Sequence, residues 1–225
     1  STATGGTGII TYTLQPGSTS NTTGSFSNLI AQTYTVIATD VNGCSISTSL
    51  IITQPTQLIW TSTNQTNVSC NGGNNGTLST LALGGTGIIN YTLQPGGATN
   101  TTGSFSNLIA QNFTVIATDA NGCSISTSIN ITQPSLLNIV SITNTIPSCV
   151  PGNDASLTIT ANGGTPSYQY SIGGANQTSN VFTNLGSGIY TITVTDANGC
   201  TKTSIQSIIT PNAPIINSAL STNIN

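Results

Sequence analysis

Residues 5–55 and 84–134 are nearly one sequence displaced by 79 positions, with 9 differences in 51 aligned residues. A chain written this way is an array of one module, because a structure that suits one copy suits the other. A third, more diverged copy keeps Gly163-Gly164-Thr165, Leu185, Tyr190 and Asp196-Ala197-Asn198-Gly199-Cys200. The cysteine after this last turn steps by 79 positions from Cys44 to Cys123 and by 77 from Cys123 to Cys200. Aligning Tyr91–Leu108 with Tyr170–Leu185 places the two-residue deletion between Gln94 and Gly103, which marks that stretch as a tolerant loop. The division this implies is a partial repeat at 1–55 lacking its N-terminal strands, complete repeats at 56–134 and 135–211, and the opening of a further repeat at 212–225. The 225 residues are expected to be a window on a longer array.

Charge excludes several function classes. The chain has one basic residue, Lys202, and four acidic ones, Asp40, Asp119, Asp154 and Asp196, with no histidine and no methionine. A single lysine cannot supply the counterion release that drives nucleic-acid binding, nor a basic patch for a membrane surface. No apolar run reaches the 18 residues or so that a spanning helix needs. General acid–base catalysis wants a histidine, a paired carboxylate or a tuned lysine, and three of the four acids are one position repeated once per copy. The reading is therefore a non-enzyme with no catalytic, cofactor or metal site.

Regular alternation of apolar residues argues for folded β-structure despite the polar composition. In the second copy strands are expected at 57–69 (A), 76–83 (B), 88–94 (C), 101–108 (one D/E segment), 112–118 (F) and 123–132 (G). Phe113, Val115 and Ala117 share one face of F, and Ile125, Ile129 and Ile131 one face of G. Short strands at this spacing suggest an all-β fold, a tandem array of Ig-like antiparallel β-sandwiches of about 77–79 residues each. The F–G connection is Asp-Val/Ala-Asn-Gly in every copy, a hairpin signal in which Asn-Gly accepts positive φ. One carboxylate per copy is too few for calcium, so this Asp is read as a turn former. Tyr34, Phe113 and Tyr190 share one position; Phe113 lacks the hydroxyl of a tyrosine corner, which favours core packing. Trp60, Tyr91 and Tyr168 are the rings that would serve a surface-binding role.

Cys70 and Cys149 follow strand A, whereas Cys44, Cys123 and Cys200 follow the F–G turn. If a single strand-length excursion separates C from F, the A–B and F–G turns share an end. Cys70 then meets Cys123, Cys149 meets Cys200, and Cys44 is left without a partner by truncation. The competing pairing, Cys44 with Cys70, joins consecutive repeats. Each intra-repeat bridge would close about 53 residues and contribute roughly 4 kcal/mol by loop entropy. With no CxxC and no histidine, metal binding by these thiols is disfavoured. Disulfides point to an oxidising, extracellular setting.

Ser69-Cys70-Asn71-Gly72-Gly73-Asn74-Asn75-Gly76, Gly163-Gly164-Thr165 with Tyr168, Leu185-x-x-Gly188-x-Tyr190 running to Asp196-Ala197-Asn198-Gly199-Cys200, and Ile131-Thr132-Gln133-Pro134 together resemble the SprB-type repeat. The resemblance spans the chain and recurs in each copy. It implies a part of a large cell-surface adhesin of gliding Bacteroidota or their relatives, exported by the type IX route. The expected function is an extended, disulfide-stapled stalk of an extracellular adhesin or surface fibre, with neighbouring repeats as its partners. Lateral pairing of uncharged edge strands into a filament or sheath is the alternative. A glycan- or surface-binding module is the third reading.

Overall fold

The computed structural model describes residues 1–149 and 152–212, so the expected opening of a further repeat at 213–225 lies outside the described residues. Every regular element among the described residues is a β-strand. The chain divides into two compact units, one of Ser1–Leu58 with Gly84–Gly87, the other of Ile59–Leu83 with the chain from Ile88 onward.

The first unit holds one four-stranded antiparallel sheet, ordered β2-β1-β3-β4 from β1 (Thr11–Gln15), β2 (Thr19–Asn21), β3 (Gln32–Thr39) and β4 (Ser45–Ile52). Alternation turns Tyr12, Leu14, Tyr34, Val36 and Ala38 to one face, where Phe26, Leu29 and Ile52 pack on them. Ser1 to Ala3 lie along part of that face: the Ser1 amine donates to Gly24 O at 2.9 Å, and Ala3 N donates to the Tyr12 hydroxyl at 2.9 Å. The remainder is an open groove of about 360 Å³ lined by Leu14, Phe26, Leu29, Tyr34, Leu50 and Ile52.

In the second unit, residues 59–131 form a two-sheet sandwich. One sheet is ordered β5-β6-β9, from β5 (Ile59–Thr66), β6 (Gly76–Leu83) and β9 (Ser104–Leu108). The other is ordered β11-β10-β7-β8, from β7 (Asn90–Gln94), β8 (Ala98–Asn100), β10 (Gln111–Thr118) and β11 (Ser124–Ile131). Phe113, Val115 and Ala117 of β10 meet Leu78 and Ala82 of β6 in one core, with Ile129 and Ile131 of β11. A bulge between Trp60 and Ser62 shifts the register of β5, and Thr61 Oγ1 donates to Leu81 O there.

The third copy follows the plan with β12 (Asn138–Asn144), β13 (Ala155–Asn162), β14 (Gln169–Ser171), β15 (Val181–Leu185), β16 (Gly188–Thr195) and β17 (Thr201–Ile208), an isolated antiparallel bridge between Tyr170 and Gln177 standing where β8 pairs with β7. Leu157, Ile159, Ile192 and Val194 are fully buried at its centre. The bulge recurs between Ile139 and Ser141. Tyr190 lies at the core edge and its hydroxyl donates to Gly186 O, four residues upstream, at 2.9 Å. That is the tyrosine-corner bond, which Phe113 at the same position cannot make.

One expectation fails here with large consequences. The segment between C and F is two strands: β8 pairs antiparallel with β7, and after a turn β9 pairs antiparallel with β6. The turn is held by Asn100, whose Oδ1 accepts from Thr102 N at 3.0 Å and Gly103 N at 2.7 Å, with Gly103 at positive φ. The chain therefore reverses once more than expected before β10.

Candidate functional site: the repeat junction

The additional reversal decides which turns share an end of the sandwich. Strands β5 and β11 run parallel side by side: Gln65 Nε2 donates to Asn130 O, Val68 N to Thr132 O, and Thr132 N to Asn67 Oδ1. The A–B turn (residues 67–75) therefore sits where β11 ends, and the F–G turn (119–123) sits at the opposite end.

This overturns the expected intra-repeat bridges. Cys70 bonds to Cys200 of the next repeat, with an S–S distance of 2.00 Å, a Cα–Cα distance of 5.7 Å and a sequence separation of 130. Cys123 and Cys149, expected to be bridged, are free and exposed, as is Cys44. Cys70 and Cys123 lie a strand length apart, far beyond the 4.4–6.8 Å that a disulfide spans between Cα atoms. The Cys44–Cys70 alternative has the right class of partners, an A–B turn and an F–G turn of different repeats, but the wrong direction along the chain.

Both sides of the bond are built by local clasps. On the A–B side, Ser69 N donates to Asn75 Oδ1 at 3.0 Å and Asn75 Nδ2 donates to Ser69 Oγ at 2.6 Å. The turn is tied to the strand end that leads into the next repeat: Asn71 Nδ2 donates to Pro134 O at 3.0 Å, and Gly72 N to Gln133 Oε1 at 2.7 Å. In the third copy Asp154 takes the place of Asn75 and accepts from Ser148 N at 2.9 Å. Hydrogen bonds from the Ser148 side chain and backbone hold its carboxyl below the usual carboxylate range.

On the F–G side the organiser is Asp196, only 4% exposed. Its Oδ1 accepts from Asn198 N and Cys200 N, both at 2.9 Å, and its Oδ2 accepts from Thr165 N at 2.8 Å. One carboxylate thus fixes the hairpin, the backbone of the bridging Cys200, and the Gly-Gly-Thr loop of the B–C connection. Gly164 approaches so closely that a Cβ there would lie 2.5 Å from Asp196 Oδ2. Asp40 makes the same bonds in the first copy, to Asn42 N, Cys44 N and Thr7 N. The bonds from Thr7 and Cys44 lower its pKa. The oxygens of this Asp are engaged by backbone N–H groups, the turn-forming role expected of it.

The two sides then meet: Asn198 Nδ2 donates to Ser69 O across the junction and to Thr165 Oγ1, both at 2.9 Å. The junction is held by a covalent bond and neutral hydrogen bonds, with no charge pair required.

The rings considered for surface binding are placed otherwise. Tyr91 is 2% exposed, its hydroxyl accepting from Ala82 N at 3.0 Å, so it is a core residue. Trp60 packs half-buried against that core, with ring centroids 6.2 Å from Tyr91 and a buried Nε1 that has no hydrogen-bond partner. Tyr168 is half-buried and donates to Gly163 O at 2.6 Å. Alternation put Tyr91 on the inward face of β7, a parity legible in the sequence. Among the described residues no helix is long and apolar enough to cross a membrane, and no group of three or more potential metal ligands comes together.

The SprB repeat family model matches residues 62–98 and 141–177, and these two segments are SprB-type repeats. No curated protein matches the chain. Among solved structures, the chain is similar to Drosophila OTK extracellular domains 3–5, with 15% identity, a TM-score of 0.32, and 89% of this chain covering 86% of that one. Sidekick-1 immunoglobulin domains 1–4 give 11% identity and a TM-score of 0.36, covering 90% of this chain and 67% of that one. The N-terminal eight Ig domains of Down Syndrome Cell Adhesion Molecule give 16% and 0.40, covering 90% and 33%.

Proposed function

We propose that the chain is a structural repeat region of an extracellular adhesin or surface fibre, acting as a stalk of sandwiches stapled end to end. The observation that carries this reading is the Cys70–Cys200 bond, which spends a disulfide on the contact between two repeats rather than on either core. A bridge so placed does little for the stability of one sandwich and much for resisting their separation. The bond favours an oxidising compartment, and the SprB-type repeats favour display at the cell surface, with type IX secretion as the implied route. Each repeat contributes roughly 30–40 Å of length by strand rise.

Lateral assembly into a sheath is the second reading. It is favoured by uncharged sheet edges such as β4, an outer strand with no charged residue. Such edges lack the usual protection against strand addition.

Electron microscopy of the unreduced protein at micromolar concentration separates the two. Threads one sandwich wide that loosen on reduction support the stalk. Uniform fibres several sandwiches wide would overturn it in favour of lateral assembly.

A further inference from the structure

The two bonded cysteines hold different addresses in their repeats, Cys70 in an A–B turn and Cys200 after an F–G turn. Each unpaired thiol holds one of the same two addresses. Cys149 is the counterpart of Cys70, and Cys44 and Cys123 are the counterparts of Cys200. The residues that join the junction recur with them. Ser69, whose carbonyl accepts from Asn198, has Ser148 as its counterpart. Asn198 and Thr165 have Asn121 with Thr86, and Asn42 with Thr7.

We infer that Cys149 is a forward cross-linking site and that Cys44 and Cys123 are backward cross-linking sites, each forming a disulfide across a repeat junction with the complementary turn of another copy of this module. The direction is fixed: the A–B cysteine of one repeat bonds to the F–G cysteine of the repeat that follows it. Residues 1–55 contain no A–B cysteine, so Cys123 has no permitted partner among these 225 residues. In each event two thiols become one disulfide, losing two protons and two electrons. The electrons pass to a disulfide-bearing thiol oxidoreductase, whose own disulfide becomes a dithiol. The inference rests on the bond and the recurring turns, and it stands whether the array serves as a stalk or a sheath.

The test is the 225-residue chain with residues 56–134 inserted a second time after Pro134, oxidised, alkylated without reduction and mapped by mass spectrometry. The expected result is one additional bridge and the same three free thiols. Serine at Cys123 of the first inserted-pair copy leaves both bridges intact, whereas serine at Cys123 of the second copy removes one. Loss of a bridge from the first variant, or no additional bridge in the duplicated chain, overturns the rule. In the 225-residue chain, Cys200→Ser should leave Cys70 fully alkylated; a new Cys70–Cys123 bridge would equally overturn it.

Discussion

Tension applied to the ends of this chain should bypass most of two repeats. With the bridge intact, load entering before Cys70 crosses to Cys200, and the residues between them carry none of it. Within the two bridged repeats, only β5 on one side and β17 on the other lie in the load path; the cores around Leu78 and Leu157 are sheltered. The hidden length follows from the separation of 130 residues. At about 3.3–3.6 Å per extended residue, less the span of the bridge itself, it is about 420–460 Å. Single-molecule force spectroscopy on a surface-tethered chain, with a thiol reductant added under load, should show a total release of that size per molecule as the two freed sandwiches unfold. Cys200→Ser should reach the longer final length from the start. Two separate steps of about 160–185 Å would be the signature of intra-repeat bridges closing 51–53 residues each, and would refute the assignment. Equal final lengths with and without reductant would show that the bond is outside the load path.

Asp196→Ala leaves three backbone donors without their charged acceptor in a buried site, and should cost the third repeat roughly 2–4 kcal/mol in denaturant unfolding; a change below about 1 kcal/mol would deny it the clasp role. Leu50 and Ile129 are aligned positions, 47% and 5% exposed, so Ile129→Ser should destabilise by roughly 2–4 kcal/mol while Leu50→Ser stays within about 0.5 kcal/mol. Equal effects, read by urea unfolding, would contradict the open face of the first unit. Asp40 and Asp154 have lowered folded pKa values. Their contribution is present above the ordinary carboxylate range and is lost as pH falls below about 4. Burial, with the nearby Tyr168, raises Tyr170, whose contribution is lost only above about pH 10. The melting temperature should therefore be flat between about pH 4 and 9 and insensitive to salt; a drift of more than a few degrees would count against this.

The strand faces were legible because burial in a sandwich follows a period of two. Val115, Ala117, Ile192 and Val194 sit inward as the alternation requires, and every Asp-x-Asn-Gly turn forms as its residues dictate. The cysteine pairing was misread because it depends on the parity of the strand count, which no single residue encodes. The signal was nonetheless present: Pro95-Gly96-Gly97 and Asn100-Thr101-Thr102-Gly103 are two turn signals within ten residues, and two turns imply a strand between them. That strand is β8, three residues long, with too few side chains to show an alternation of its own. The side-by-side contact of β5 with β11, which fixes the end to which Cys70 belongs, rests on polar residues such as Gln65 and Asn67 that carry no hydrophobic pattern.

The short strand β8 has a consequence for how such modules can be concatenated. Residues 59–131 contain seven strands, an odd number, so the polypeptide enters a sandwich at one pole and leaves at the other. Without the reversal at β8 the polypeptide would enter and leave at the same pole, and reaching the next module's far side would demand a return run as long as a strand, about 26 Å for eight residues. The link from Ile131 to Asn138 holds only Thr132 to Leu137, which spans about 20 Å when fully extended. That reversal, made by three residues of strand here and by the single Tyr170–Gln177 bridge in the third copy, thus sets the polarity of a module, and with it the possibility of adding modules by gene duplication without redesigning the link between them.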